Sequence, residues 1–143
     1  MWRQVAYSQF PIGPSPAFPN GYTANRPLLR VDLLNGASRF NCFGIIDSGA
    51  DFCTFPLSFA LQLGLDPLTM KASASSGLGS TNVPTYYWNI QIDLQGLITF
   101  DVYAGFTEGL ETWGVGLLGQ AGFFDRFPTN FDLKNGQFHI DIP

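Results

Sequence analysis

The chain has 143 residues, 45% of them hydrophobic, and a formal net charge of -4 at pH 7. This length fits one ordinary domain with its own core. The seven Lys and Arg residues are scattered, so no basic stripe favours a nucleic-acid partner or anionic lipid. Without a signal-like segment or the roughly 18 apolar residues of a membrane helix, we expect a soluble, unsecreted, cytoplasmic protein with no membrane partner.

The first 26 residues combine four prolines with aromatic side chains. Proline keeps such a segment extended, and so many aromatics would be costly in a solvated linker. We therefore expect residues 1–26 to form an arm on the body of the protein or on a partner subunit, with the domain proper over residues 27–143. A further alternative is that the domain is a processed part of a longer precursor, with residues 1–26 as a prosegment or tether.

Beyond the arm the apolar residues mostly alternate, which is typical of half-buried strands. Hairpins are predicted within residues 29–46, 88–104 and 131–140, at the turns Asn35-Gly36, Gln95-Gly96 and Asn135-Gly136. Residues 56–64 begin with Pro and end with Gly, which favours a short helix, and residues 120–127 are predicted to form a turn or two of helix. This pattern predicts an all-β, barrel-like domain with one or two short helices.

Two cysteines and one histidine give little reason to expect a metal or cofactor. Cys42 and Cys53 lie in what read as adjacent strands, so a disulfide is open, but two buried thiols in a reducing compartment are favoured. His139 stands between Phe138 and Ile140, which favours a structural role. We predict no cofactor.

An acidic turn follows the continuously apolar end of one predicted strand. Residues 44–51 read Gly-Ile-Ile-Asp-Ser-Gly-Ala-Asp. A carboxylate directly after such a strand is expensive to bury unless its charge or a shared proton is used. Asp47 is therefore the candidate catalytic residue, although Asp-Ser-Gly is also a common sequence in ordinary turns.

Three pieces of the chain, in order, resemble one family. The run from Asp47 to Asp51 is similar to the active-site turn of retropepsin-like aspartic peptidases. Gly77-Leu78-Gly79 resembles the tip of that family's flap, although it also fits a plain hairpin connection. Leu117-Leu118-Gly119 resembles the hydrophobic-hydrophobic-Gly element that completes the family's ψ-shaped loop. The resemblance covers roughly residues 27–140 and implies a single-domain acid protease barrel.

The resemblance implies a role for each residue of the turn. Asp47 would be half of a carboxylate pair that activates water, and Ser48 would fix two such turns against each other. Gly49 and Ala50 would permit the substrate to approach closely. Asp51 would accept hydrogen bonds from substrate backbone, although a solvated turn charge is the alternative. Leu78, between Gly77 and Gly79, would close over bound peptide.

A pair of carboxylates needs a second turn, which this chain lacks. The mechanism therefore predicts a homodimer across a two-fold axis. Retroviral members often place Arg after the glycine of the ψ-loop, as a partner for the second Asp of the turn. This chain has Gln120 there, and Arg126 is the open candidate for that partner.

The resulting prediction is an aspartic endopeptidase that cleaves extended, largely apolar peptide segments. The alternative is a peptide-binding module that keeps the fold without the chemistry. The arm and the strand at residues 138–142 are the expected dimer interface.

Overall fold

The computed structural model describes residues 1–74 and 83–143. This part of the chain is built mostly of strands, together with one α-helix, α1 (Leu57–Gln62), and single turns of 3-10 helix at Pro67–Thr69, Glu108–Leu110 and Leu133–Asn135. In chain order the strands are β1 (Trp2–Ala6), β2 (Ser8–Ile12), β3 (Tyr22–Arg26), β4 (Leu28–Asn35), β5 (Ser38–Ile46), β6 (Thr54–Pro56), β7 (Lys71–Ala74), β8 (Pro84–Leu94), β9 (Ile98–Thr107), β10 (Gly116–Leu118), β11 (Thr129–Asp132) and β12 (Gln137–Asp141). The prediction of an all-β chain with a short helix near residues 56–64 is confirmed.

The chain divides into two compact units. The first contains Met1–Leu28 and Phe127–Pro143. Its strands form an antiparallel sheet in the order β1-β12-β11, with Trp2 opposite Asp141, and a separate hairpin of β2 and β3. The predicted arm thus contains three strands, while its boundary at residue 26 and its role stay predictions.

The second unit, Leu29–Arg126, contains a closed six-stranded barrel. Its strands follow the order β4-β5-β10-β6-β9-β8, and β8 pairs back with β4, so that Leu33 lies opposite Ile92. Strand β7 extends the sheet beyond β8. The core of this unit is apolar, and its largest fully buried side chains include Phe55 and Phe106, whose ring centroids are 5.9 Å apart.

All three predicted hairpins are confirmed. Strands β4 and β5, β8 and β9, and β11 and β12 are neighbours joined by the expected turns. Gly36 and Gly96 have φ values of 58° and 75°, a left-handed conformation that glycine adopts at low cost. The glycines at these turns therefore allow each strand to pair with the strand that follows it in the chain.

The helix predicted for residues 120–127 is wrong, because the segment forms a series of turns. Gly122 has a φ of 107°, which no α-helix allows. Its N–H donates to the Asp125 carboxylate at 3.0 Å. A Cβ at Gly122 would lie 2.9 Å from Cγ1 of Val102. The close packing of Gly122 against β9 thus prevents a regular helix in this segment.

An arginine joins two facing carboxylates where the barrel closes. Asp32 on β4 lies directly opposite Asp93 on β8, an arrangement that repels. Arg39 on β5 reaches both, with Nη1 3.0 Å from Oδ2 of Asp32 and Nη2 2.9 Å from Oδ2 of Asp93. The buried Asp93 also accepts the Gly96 N–H at 2.8 Å. Arg39 therefore neutralises a pair that would otherwise oppose closure of the barrel.

Both cysteines are buried free thiols, as favoured from the sequence. Burial, with a smaller effect of Asp32, raises the pKa of the Cys42 thiol to about 12. Burial likewise raises the pKa of Cys53 to about 11. These thiols are protonated at neutral pH.

Across the described residues, every helix is too short or too polar to cross a bilayer.

Candidate active site

Asp47 stands at the end of β5, where a parallel strand holds it. β10 runs beside β5, with Gly116 opposite Gly44 and Leu118 opposite Ile46. The Asp47 N–H continues this ladder by donating to the Leu118 carbonyl at 3.0 Å. The backbone of Asp47 is therefore fixed by two strands that are far apart in the sequence.

The Asp47 side chain closes its own turn with one oxygen. Oδ1 accepts the Gly49 N–H at 2.9 Å, and the Ala50 N–H donates to the Asp47 carbonyl at 3.2 Å. The residue is half-buried. Among the described residues, no hydrogen-bond donor reaches Oδ2. One oxygen is thus oriented by the backbone, and the other is available to a reactant.

Gly119 lies against the underside of this turn. A Cβ at Gly119 would lie 2.4 Å from the carbonyl oxygen of Phe52 and 2.6 Å from that of Ala50. The next two residues join the same two segments by backbone hydrogen bonds. The Gln120 N–H donates to the Ala50 carbonyl at 2.8 Å, and the Ala121 N–H donates to the Asp51 carbonyl at 2.9 Å. Only glycine fits between these backbones.

The side chain of Gln120 also supports the turn, by a contact that the sequence did not predict. Its Nε2 donates to the Ser48 carbonyl at 2.9 Å. Arg126, the candidate partner for Asp51, instead donates from Nη2 to the Asp101 carbonyl at 2.9 Å and lies 5.4 Å above the Phe100 ring. Within one chain, the Gln120 amide therefore stabilises the turn, whereas the Arg126 guanidinium bonds elsewhere.

The other predicted site residues divide between the turn and the chain between β7 and β8. Ser48, Gly49 and Asp51 are exposed, and Ala50 is half-buried. Gly77, Leu78 and Gly79 lie outside the described residues. On either side of them, β7 and β8 pair antiparallel, from Lys71 opposite Tyr87 to Ala74 opposite Pro84. The described strands that precede and follow the predicted flap tip are thus antiparallel neighbours.

Sequence reasoning missed an aromatic cluster beside Asp51. The rings of Phe52 and Tyr87 meet edge to face at 5.6 Å, and those of Tyr87 and Tyr103 stack at 5.4 Å. Burial, then Tyr103 and then Asp51, raise the pKa of Tyr87, which indicates that the Asp51 carboxylate is near. The three residues lie on separate elements, so no local sequence pattern could have revealed them.

An open depression of about 440 Å³ at the start of α1 is a separate feature. It is lined by Leu57, Ser58, Leu61, Glu108 and Glu111. The Glu111 carboxylate accepts hydrogen bonds from the Ser58 N–H at 2.6 Å and the Ser58 hydroxyl at 2.9 Å. Glu111 therefore caps α1, whose preceding residue, Pro56, provides no side-chain cap.

Over residues 1–74 and 83–143, no cluster of three or more His, Cys, Asp or Glu side chains has the arrangement to hold a metal ion.

A β-barrel that carries an Asp-Ser-Gly turn, supported by a parallel strand and a glycine, is comparable with known acid proteases. No protein-family model matches this chain, and no curated protein sequence matches it. Among solved structures, a retropepsin-like aspartic protease from Rickettsia conorii is similar, with a TM-score of 0.61 and 13% sequence identity. The match covers 98% of this chain and 94% of that protein. The chain therefore has the retropepsin-like barrel fold.

Proposed function

We propose that this protein is an aspartic endopeptidase in which Asp47 supplies one of two catalytic carboxylates. The observation that carries the proposal is the environment of Asp47. Its backbone is fixed by Leu118, its Oδ1 is oriented by the Gly49 N–H, and its Oδ2 faces no donor among the described residues. The retropepsin-like fold adds support, since the similar solved structure is an aspartic protease.

The chemistry requires two carboxylates that share one proton. Two such groups held close together do not both ionise, and the pair polarises a water molecule for attack on a peptide carbonyl. Their apparent pKa values then belong to the pair. Since the chain contains one Asp47 turn, the second comes from another copy across a two-fold axis. Activity is expected to be highest at mildly acidic pH, where one carboxyl of the pair is protonated.

The substrate is an extended peptide that is bound largely through its backbone. The exposed Asp51 carboxylate accepts hydrogen bonds from that backbone, and Gly49 and Ala50 leave room for it. Gly77, Leu78 and Gly79, in the chain between β7 and β8, have the role of closing over the peptide. The peptide binds by strand addition with alternating side-chain pockets. Ser48 fixes the two turns of the dimer against each other.

Replacement of Asp47 by Asn tests the mechanism directly. Asn keeps a side-chain oxygen that can accept the Gly49 N–H, so the turn is preserved while the shared proton is lost. Cleavage of an unstructured protein at pH 5, followed by mass spectrometry, is expected to slow by about 10²–10⁴-fold. Undiminished cleavage by Asp47→Asn would show that the mechanism is wrong.

Asp66→Asn is a matched control. Asp66 also accepts a backbone N–H two residues ahead, that of Leu68 at 3.0 Å, in an exposed turn. This variant is expected to cleave at the wild-type rate. Equal thermal unfolding of both variants and wild type shows that neither change damages the fold.

The second candidate function is a peptide-binding module without catalysis. The single Asp47 turn favours it if the chain is monomeric, because one copy cannot form the pair. Sedimentation velocity at pH 5 and pH 7 separates the two functions. A dimer at pH 5 is expected for the peptidase, and a strict monomer at both pH values favours the binding module.

A further inference from the structure

Three aromatic rings form a partly exposed surface next to the candidate active site. We call Phe52, Tyr87 and Tyr103 the aromatic ledge. Their rings contact in series, with centroid distances of 5.6 Å and 5.4 Å. Phe52 is 40% exposed and Tyr103 is 45% exposed, whereas Tyr87 between them is half-buried. The ledge is thus held together by its own ring contacts while its outer faces remain open.

Strand register brings the two tyrosines together. On the β8–β9 hairpin, Tyr87 lies opposite Gly105, and Tyr103 lies opposite Asn89. Tyr87 and Tyr103 are therefore diagonal neighbours on one face of the sheet. A Cβ at Gly105 would lie 3.1 Å from Cε1 of Tyr87. The absence of a side chain at Gly105 leaves room for the Tyr87 ring, which stacks on Tyr103.

Phe52 ties the ledge to the catalytic turn. It follows Asp51 directly and forms a parallel bridge with Ala121. Its carbonyl oxygen faces Gly119, at 2.4 Å from where a Cβ would lie. The backbone of Phe52 is therefore as firmly placed as the turn itself, and its ring continues the surface that begins at Asp51.

The exposure of these rings distinguishes them from core and from ordinary surface aromatics. In the core of the same unit, Phe55 and Phe106 are fully buried. Phe43, on β5, is 38% exposed, but the Arg30 guanidinium lies 4.8 Å above its ring. Aromatic faces grouped beside a polar site are typical of places where an apolar ligand group is bound.

We propose that the aromatic ledge binds an aromatic or large aliphatic side chain of the peptide substrate, at a position removed from the cleaved bond on the Asp51 side. The inference rests on the proposed function, because the substrate is the peptide that Asp47 cleaves. The ledge adjoins Asp51 rather than Asp47, and an extended peptide advances about 3.3 Å per residue. The bound side chain is therefore assigned to a position outside the two residues that flank the scissile bond. In a two-fold dimer, one ledge serves each end of the peptide.

The test begins from a bond that the wild-type protein cleaves in an unstructured protein, identified by mass spectrometry. Synthetic peptides around this bond carry either Phe or Ser at each of the second to fifth positions from it. At one or more of these positions, Phe is expected to raise kcat/KM about five- to tenfold over Ser. The ratio is expected to fall below about twofold in Phe52→Ala and Tyr103→Ala.

Phe43→Ala is the matched control, since it removes a similarly exposed phenylalanine ring that lies on β5, outside the ledge. It is expected to keep the wild-type ratio. The conservative variant Tyr103→Phe keeps the stacked ring and is also expected to keep it. Unfolding temperatures of all variants show whether any loss is structural.

Several outcomes overturn the inference. A wild-type ratio near one at every position does so, as does a ratio that Phe52→Ala and Tyr103→Ala leave unchanged. If the wild type cleaves no bond, the proposed function fails, and calorimetric titration with extended peptides of one fixed sequence that carry either Phe or Ser then decides the ledge alone. Tighter binding of Phe peptides that is lost in Phe52→Ala supports the ledge, and equal binding of Phe and Ser peptides refutes it.

Discussion

Gly119→Ala is expected to destabilise the protein by disrupting the contact beneath the Asp47 turn. The new Cβ would lie 2.4 Å from the Phe52 carbonyl oxygen and 2.6 Å from that of Ala50. Carbon–oxygen contacts normally begin near roughly 3.3 Å, so backbone must move by about 0.9 Å. Both close atoms are main-chain, and a rotamer change therefore cannot relieve the clash.

The cost follows from overpacking and from one weakened hydrogen bond. Forced insertion of a methyl group into packed structure costs about 1–3 kcal/mol. The Ala50 carbonyl also accepts the Gln120 N–H at 2.8 Å, and loss of such a bond costs about 0.5–1.5 kcal/mol. The free energy of unfolding is therefore expected to fall by about 2–4 kcal/mol, which corresponds to roughly 8–16 °C in Tm for a chain of this length.

Urea denaturation at one fixed protein concentration measures this effect, because dimerisation would make stability depend on concentration. Gly13→Ala is the control, since a Cβ at Gly13 would have no heavy atom within 4 Å. It is expected to change the unfolding free energy by less than about 0.5 kcal/mol. If Gly119→Ala falls in the same range as Gly13→Ala, the close approach beneath the turn is refuted.

Two further predictions concern the barrel itself. Arg39→Met leaves Asp32 and the buried Asp93 facing each other without a cation. Because Arg39 is itself half exposed, the free energy of unfolding is expected to fall by only about 1–3 kcal/mol. A double-mutant cycle with Asp93→Asn, measured by urea denaturation, should give a coupling energy of about 1 kcal/mol, and additive effects would contradict the ion pair. Because burial raises the pKa of Cys42 to about 12 and of Cys53 to about 11, their contribution to stability is complete below pH 9 and is lost as pH rises toward those values. Between pH 8 and pH 10 each thiol is expected to lower the free energy of unfolding by about 1 kcal/mol. A smaller pH dependence is expected in the variant with both cysteines replaced by Ala, and an unchanged pH dependence refutes this prediction.

Local chemistry explains the parts of the fold that could be predicted from the sequence. Alternating apolar residues and Gly-containing turns identify each hairpin, because both signals lie within about 20 residues. The buried faces of β4 and β8 follow directly from that alternation, as the 0% exposure of Leu33 and Ile92 shows. The helix predicted for residues 120–127 was wrong because Gly122 packs against Val102, a tertiary contact that overrides the local preference for helix.

Contacts between distant residues set the limit of prediction. Arg39 and Asp93 are 54 positions apart, and Gln120 and Ser48 are 72 apart, so neither pair leaves a periodic trace in the chain. The pairing of β5 with β10 could be expected only from the resemblance of Asp47 and Leu118 to a known family's motifs. The catalytic role of Asp47 stays a prediction, because fold and geometry do not measure reactivity.

The amide of Gln120 has a consequence for how the turn responds to its surroundings. A guanidinium paired with a carboxylate weakens when acid protonates the carboxylate or when salt screens both charges. Gln120 instead donates to the Ser48 carbonyl, and neither of these groups titrates between pH 3 and pH 8. The scaffold around Asp47 is therefore expected to keep one shape across this pH range and at raised salt.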